Sequence, residues 1–150
     1  MTRQLTIASP VGPLTLGECG GALFYIRFGD GGGCDRTPLL EKAARQIEEY
    51  FDGRRREFDL PLAPAGTPFQ REVWSALRGI PYGQTRSYRD IAAAVGRPQA
   101  CRAVGMANHR NPLPIVVPCH RVIGASGALT GYAGGVEVKD ALLRLERILK

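Results

Sequence analysis

Apolar and polar residues alternate along the first part of the chain, and this pattern predicts strands. Two alternating runs flank a Pro/Gly turn in "QLTIASPVGPLTLGE" (4–18), and a third run follows in "GALFYIRFG" (21–29). The spacing then becomes helical in "TPLLEKAARQIEEYF", where Thr37 is the expected N-cap and Pro38 lies in the first turn. Residues 1–57 are therefore predicted to form a small antiparallel β-sheet with one helix.

A proline-rich stretch separates this region from a helical second half. We interpret 58–66 as a linker, because prolines are too dense there for a regular element. The second domain, 67–150, opens with Thr67, Pro68 and Gln70, the signature of a capping box, and its first helix is predicted to end at Gly79.

The next segment, "SYRDIAAAVGRPQACRAVGMANHR" (87–110), has the outline of a helix-turn-helix. One helix is predicted from an N-cap at Ser87 to Gly96, and another from Pro98 to Asn108. An ordinary helical hairpin has the same outline. A last amphipathic helix is expected in "VKDALLRLERILK" (138–150), with these residues facing inward: Val138, Leu142, Leu145 and Leu149.

Charge separates the two halves further. The chain has 150 residues and a net charge of +6. Residues 1–68 carry eight Lys/Arg and nine Asp/Glu, whereas residues 69–150 carry twelve and five. A basic half suits an anionic polymer such as nucleic acid, although a solvated basic face explains it too. Without a signal-like or membrane-length apolar run, we expect a cytoplasmic protein, or a nuclear one in a eukaryote.

"IVVPCHRVIG" (115–124) raises the chemical question, because Cys119 could be a packed thiol, a metal ligand or a nucleophile. The cysteines lack the spacing of a disulfide framework and are expected to be free thiols. Only two histidines are present, so we predict no metal site. The apolar run predicts a short buried strand with a partly exposed Cys119 in the turn after it. Extended geometry would point His120 away from the sulfur, so His120 would need a turn or a bridging water to act as base. Its orienting carboxylate could be Glu146 or Glu137.

The segment "NPLPIVVPCHRVIGASGALTGYAGG" (111–135) closely resembles the active-site segment of the O6-alkylguanine-DNA alkyltransferases, or methylated-DNA–protein-cysteine methyltransferases. The similarity extends over roughly residues 67 to 147, through "TPFQREVWSALRGIPYGQTRSYRDIA" and "CRAVGMANHRNP". It implies an α+β protein with a ribonuclease-H-like N-terminal lobe and a mostly helical, winged-helix-like C-terminal lobe.

The resemblance also implies roles for individual residues. Cys119 would accept the alkyl group in a Cys–water–His–Glu relay with His120 and Glu146, Tyr88 would protonate the guanine, and Asn111 would bridge the helix-turn-helix to the active-site loop. Arg102 would enter the duplex in place of a flipped nucleotide. The other DNA-binding residues would be Ala100, Cys101, Ala103, Arg110 and Arg121. The substrate pocket would be lined by Tyr88, Asn108, Val122, Tyr132, Ala133 and Gly134.

The implied function is DNA repair by a single, irreversible transfer from O6-alkylguanine to Cys119, with O4-alkylthymine as a second candidate substrate. The partner would be double-stranded DNA carrying the lesion, and the protein is expected to be a monomer without a cofactor. Two alternatives stay open at this point. One is a helix-turn-helix protein that binds DNA without chemistry, and the other is a thiol hydrolase using Cys119 and His120.

Overall fold

The computed structural model describes residues 2–124, 132 and 134–146, and the chain divides into two compact units, Met1–Ala65 and Gly66–Lys150. The first unit is a three-stranded sheet covered by a helix. Strands β1 (Thr2–Ile7), β2 (Leu14–Cys19) and β3 (Ala22–Phe28) form an antiparallel meander in that order, and α1 (Pro38–Phe51) packs on it.

The sequence pattern explains this unit well. Leu14, Leu16 and Leu23 are fully buried on the sheet, and Ile47 is buried on α1. The Thr37 side chain accepts a hydrogen bond from the Leu40 backbone and caps α1, as predicted. The expected small antiparallel sheet with one helix is confirmed.

Residues 58–66, interpreted as a linker, are in part bound to this unit. The Leu23 backbone N–H donates to the Pro61 carbonyl at 2.7 Å, and the Ala63 N–H donates to the Leu23 carbonyl at 2.9 Å. The Gln46 side chain donates to the Asp59 carbonyl and accepts from the Asp59 N–H. A proline lacks a donor but keeps its carbonyl, so a proline-rich strip can still follow a strand.

In its described residues, the second unit is mostly helical with one short strand pair. The N-caps predicted at Thr67 and Ser87 are confirmed. Each forms a capping box, Thr67 with Gln70 and Ser87 with Asp90. A single turn of 3-10 helix spans Cys119–Arg121. The remaining elements of this unit, in chain order, are α2 (Pro68–Arg78), β4 (Arg86–Ser87), α3 (Tyr88–Ala94), α4 (Cys101–His109), β5 (Val122–Ile123) and α5 (Val136–Leu145).

Two details of this unit differ from expectation. Residues 115–117 form a buried turn, not a strand, and Ile115 has a φ of 76°. The Val117 N–H donates to the Leu113 carbonyl at 2.8 Å, so this proline-containing apolar run closes an α-turn. The parallel pairing of β4 with β5 was not predicted, because two residues are too few to leave a pattern.

The helix bounds also shift slightly. The second helix of the predicted pair starts at Cys101, because residues 98–100 form a turn, and α5 starts at Val136. Leu149 lies outside the described residues. No helix in the described ranges has the length and apolar character needed to cross a membrane.

Candidate active site

Cys119 is the first residue of the 3-10 turn, and it is buried. Only 4% of the residue is exposed, so the expectation of a partly exposed thiol was wrong. The residues before it, 113–118, are buried as well. Burial raises the pKa of the Cys119 thiol to about 11, although hydrogen bonding with Asn111 and the charge of Lys139 act in the opposite direction.

Glu146 lies at the C-terminal end of α5 and gathers four donors on its two buried oxygens. Oε2 is 2.7 Å from Nε2 of His120 and accepts from Nη2 of Arg121 at 3.0 Å. Oε1 accepts from Nε of Arg121 at 2.8 Å and from the Gly83 backbone at 3.3 Å. The sequence left Glu146 and Glu137 open as the partner of His120, and the structure brings Glu146 to it.

This contact fixes the tautomer of His120. A carboxylate flanked by a guanidinium accepts hydrogen bonds, so Nε2 carries the proton and Nδ1 of the neutral ring keeps its lone pair. Nδ1 is buried and meets no hydrogen-bond partner among the described residues. Burial lowers the pKa of His120, against the opposing effect of Glu146. The neutral ring is therefore favoured, with its basic nitrogen unused by the protein.

Arg121 is placed differently from the DNA-binding role expected for it. The residue is 6% exposed, and its Nη1 donates to the Ile80 carbonyl at 2.7 Å. Its Nε and Nη2 donate to Glu146, and its guanidinium lies 5.6 Å from the Tyr82 ring centroid. All three guanidinium nitrogens thus donate to groups inside the unit, and this buried placement does not favour the phosphate contact expected for Arg121.

Lys139 is a site residue that the sequence did not indicate. It is fully buried, and its Nζ donates to the Val122 carbonyl at 2.7 Å, beside the 3-10 turn. The buried face of α5 is formed by Lys139, Leu142, Leu143 and Glu146, which differs from the inward face predicted from leucines and valine alone. Only the spacing of 139, 142, 143 and 146, which is i, i+3, i+4 and i+7, could have revealed it.

Two asparagines hold the backbone around Cys119. Asn111, buried as expected of a bridging residue, donates from Nδ2 to the Val117 carbonyl at 2.8 Å and accepts from the Leu113 N–H at 3.0 Å. Asn108 donates from Nδ2 to the Cys119 carbonyl at 3.4 Å. Asn108 lies in the last turn of α4, with its Oδ1 buried and unpartnered among the described residues.

The helix pair presents one face to solvent. On α4, Arg102, Ala103 and His109 are exposed together with Met106, which is 57% exposed. Ala100 and Cys101 are half-buried, and Arg110 is exposed at the C-cap. The opposite face is anchored where Nε1 of Trp74 donates to the Ala107 carbonyl at 2.8 Å.

Tyr88 joins this helix pair to the site. It is the first residue of α3, it is half-buried, and its ring lies 3.9 Å from where a Cβ on Gly105 of α4 would stand. The preceding residue, Ser87, pairs with Ile123, and Arg86 pairs with Val122. The β4–β5 ladder thus connects the start of α3 directly to the segment that carries Cys119.

The remaining pocket residues are placed in part. Val122 and Tyr132 are buried, and Gly134 is half-buried. Hydrogen bonding with Tyr132 also lowers the pKa of Cys119, which sets this side chain beside the sulfur. Ala133 lies outside the described residues.

The other cysteines do not contribute to a metal or disulfide site. All four cysteines are free thiols, as predicted. In the part of the chain that the structure describes, no group of three His, Cys, Asp or Glu side chains could hold a metal ion.

Both units match domain models of one known protein family. Residues 68–148 match the model of the DNA binding domain of 6-O-methylguanine DNA methyltransferase, and residues 3–64 match the model of its ribonuclease-like domain. A methylated-DNA–protein-cysteine methyltransferase of Methanosarcina acetivorans is 50% identical, covering 92% of this chain and 94% of that protein. The constitutive enzyme of Bacillus subtilis is 64% identical over 75% of this chain and 68% of its own.

A solved structure is also similar to this chain in both sequence and fold. The crystal structure of Mycobacterium tuberculosis OGT in complex with DNA superposes with a TM-score of 0.88 at 50% identity, covering 97% of this chain and 92% of that one. Its α+β architecture, with a small antiparallel sheet lobe and a helical lobe, is that of the present chain. This chain therefore belongs to the 6-O-methylguanine DNA methyltransferase family.

Proposed function

We propose that this protein repairs alkylated DNA by moving the alkyl group of O6-alkylguanine onto Sγ of Cys119, once per molecule. The observation that carries the proposal is the buried Cys119 followed directly by His120, whose Nε2 is held by Glu146 at 2.7 Å. O4-alkylthymine is a second candidate substrate. The protein acts as a monomer without a cofactor, in the cytoplasm or, in a eukaryote, the nucleus.

Cys119 needs a base for this chemistry. With a pKa of about 11, roughly one thiol in 10⁴ is ionised at pH 7. A thiolate is the effective nucleophile at a saturated carbon, so the proton must leave as the attack proceeds. Nδ1 of His120 is the available lone pair, and a water molecule would carry the proton from Sγ to it. Glu146 then stabilises the imidazolium.

The step balances without an external reactant. Sγ forms a bond to the alkyl carbon as the bond from that carbon to O6 breaks, and the bonding electrons stay on the guanine. The guanine takes up a proton, with Tyr88 at the start of α3 as the donor. Tyr88 then recovers a proton from the His120 imidazolium through solvent, so that overall the thiol proton is replaced by the alkyl group and the base gains one proton. The thioether has no good leaving group, so the protein is consumed.

A base inside a duplex is out of reach of a buried thiol, so the nucleotide must rotate out of the stack. The exposed face of α4 supports this role, because Arg102 projects from it beside the small side chain of Ala103. Arg102 would fill the gap left in the duplex, while Arg110 and the half-buried Ala100 and Cys101 would lie close to the DNA backbone. Asn111 would couple this helix to the active-site turn, and Asn108, Val122, Tyr132, Ala133 and Gly134 would line the base pocket.

The test uses duplex DNA that contains one O6-methylguanine. Incubation should restore guanine up to one equivalent per protein molecule, and peptide mass spectrometry should find one added methyl group on Cys119. Cys119→Ser should bind the duplex without transfer, whereas the exposed Cys19→Ser should behave like the parent protein.

The other outcomes correspond to the alternatives left open by the sequence. A bound duplex with an unmodified Cys119 would indicate a DNA-binding protein without chemistry. Turnover of an ester beyond one equivalent would indicate a thiol hydrolase. Either result would overturn the proposed transfer.

A further inference from the structure

Arg121 contacts both oxygens of Glu146. Nε reaches Oε1 at 2.8 Å and Nη2 reaches Oε2 at 3.0 Å, a two-pronged contact that fixes the plane of the carboxylate. The third nitrogen, Nη1, donates to the Ile80 carbonyl at 2.7 Å. The guanidinium is thus held at three points, and it holds the carboxylate in turn.

The shared oxygen is Oε2, which receives both Nη2 of Arg121 and Nε2 of His120. A carboxylate bound only to a histidine can rotate and gives its full charge to the imidazole. Here the guanidinium restricts the rotation and takes up part of the charge. Glu146 can therefore orient His120 while leaving the ring neutral before the reaction.

We propose that Arg121 is a positioning residue for alkyl transfer: its two-pronged contact keeps Glu146 aimed at Nε2 of His120 and limits how strongly the carboxylate attracts a proton to the ring. The proposal rests on the function proposed above, in which neutral His120 accepts the proton of Cys119. Arg121 acts through Glu146 and does not itself touch the substrate.

The charges around His120 shift its pKa in the directions that the proposal requires. Glu146, at the end of α5, raises its pKa, whereas Arg121 in the same 3-10 turn and Lys139 on α5 lower it. Loss of Arg121 would remove one of the two cations that lower the pKa of His120. The charge of Glu146 would then act more strongly on the ring. The ring would then hold a proton at a higher pH and would be a poorer base near neutrality.

The experiment measures the single-turnover transfer rate against pH for the full chain and three variants. In Arg121→Met, the acidic limb of the rate profile should move up by about one pH unit and the plateau should fall about tenfold. Arg121→Lys keeps the positive charge but loses the two-pronged contact with Glu146. The plateau of its rate profile should therefore fall, while its acidic limb stays in place. Arg144→Met is the matched control, because Arg144 also pairs with a carboxylate, Asp140, but at the surface of α5.

Histidine NMR gives a readout that a purely structural role would not change. The chain has two histidines, the buried His120 and the exposed His109. The titration of His120 should move to higher pH in Arg121→Met and should stay in place in Arg144→Met.

The outcomes separate this inference from the function on which it rests. If the parent protein transfers no alkyl group, the proposed function fails. If the parent transfers but Arg121→Met keeps its plateau, acidic limb and His120 titration, the role of Arg121 is refuted. If Arg121→Met does not fold, Arg121→Lys provides the test. An unchanged plateau of the transfer rate in Arg121→Lys would refute the role of the two-pronged contact.

Discussion

The two units bury very different side chains. In the sheet unit, the buried polar residues are Thr15 and Gln46, and both are bonded to nearby groups. Among the described residues of the helical unit, the buried polar and charged ones are Asn108, Asn111, His120, Arg121, Lys139 and Glu146. Four of these can carry charge, and all of them lie around Cys119.

The difference shows that residues suited to chemistry can lower the stability of the unit that buries them. Aliphatic cores gain free energy from burial alone, whereas buried ions must recover their desolvation through good geometry. In the proposed reaction, a base and its orienting carboxylate work best away from water, which would favour their burial in the helical unit despite the cost. The following predictions test that contrast.

The largest effect is expected from Glu146→Ala. It leaves Arg121 and His120 buried without their partner, so the free energy of unfolding should fall by about 3–5 kcal/mol. Asp140→Ala breaks an exposed pair on the same helix and should lower it by about 1 kcal/mol or less. Guanidinium unfolding followed by fluorescence measures both, because the single tryptophan, Trp74, is buried in this unit. Equal losses would mean that the cluster is no more important for stability than a surface pair.

An intermediate effect should appear at alkaline pH. The pKa of Cys119 is raised from 9.0 to about 11, so the unfolded thiol ionises first and stability is lost as pH rises from 9 towards 11. The free energy of unfolding should fall by about 1.4 kcal/mol by pH 10 and by about 3 kcal/mol in total. Urea unfolding between pH 8 and 10 should show this slope in the parent and in Cys34→Ser. The slope due to this thiol should vanish in Cys119→Ser, and its persistence there would assign it to another group.

The smallest effect compares two helix caps. Thr37 and Ser87 cap α1 and α3 with hydrogen bonds of 3.1 Å each, so their replacement by Ala should lower stability by about 1 kcal/mol in either unit. Only Ser87→Ala should also slow alkyl transfer, by about threefold or more, because Tyr88 is the next residue. Thermal unfolding and single-turnover rates measure the two effects. An equal slowing by Thr37→Ala would contradict this distinction.

Local signals in the sequence predicted most of the fold. Alternation predicted the strands of the sheet unit, and Thr37, Thr67 and Ser87 marked helix starts because capping depends on residues only three positions apart. The strands, the caps and the active-site segment depend on short stretches of sequence. The pairing of Glu146 with His120 spans 26 residues, and only the family resemblance indicates it.

What the sequence did not predict depends on contacts between distant residues. Burial of Cys119 results from the turn at residues 113–117, where Ile115 adopts a positive φ that no propensity suggests. The resemblance implied a DNA contact for Arg121, yet this residue is buried and pairs with Glu146, which lies 25 residues further along the chain. No prediction was made for Lys139, although lysine is rarely buried. Tertiary packing overrode the residue-type preference in each case.

The spacing of Lys139 and Glu146 on α5 makes this helix sensitive to length as well as to composition. Seven residues correspond to two turns and about 10.5 Å, so both charged ends emerge on one face. Deleting one residue between them would rotate Glu146 by about 100° about the helix axis while Lys139 stayed at the Val122 carbonyl. Exposed positions such as Arg144 can be exchanged freely, yet insertions and deletions between 139 and 146 would be selected against. Alkyltransferases that keep this lysine and glutamate should therefore vary in sequence along α5 but not in the number of residues between the two.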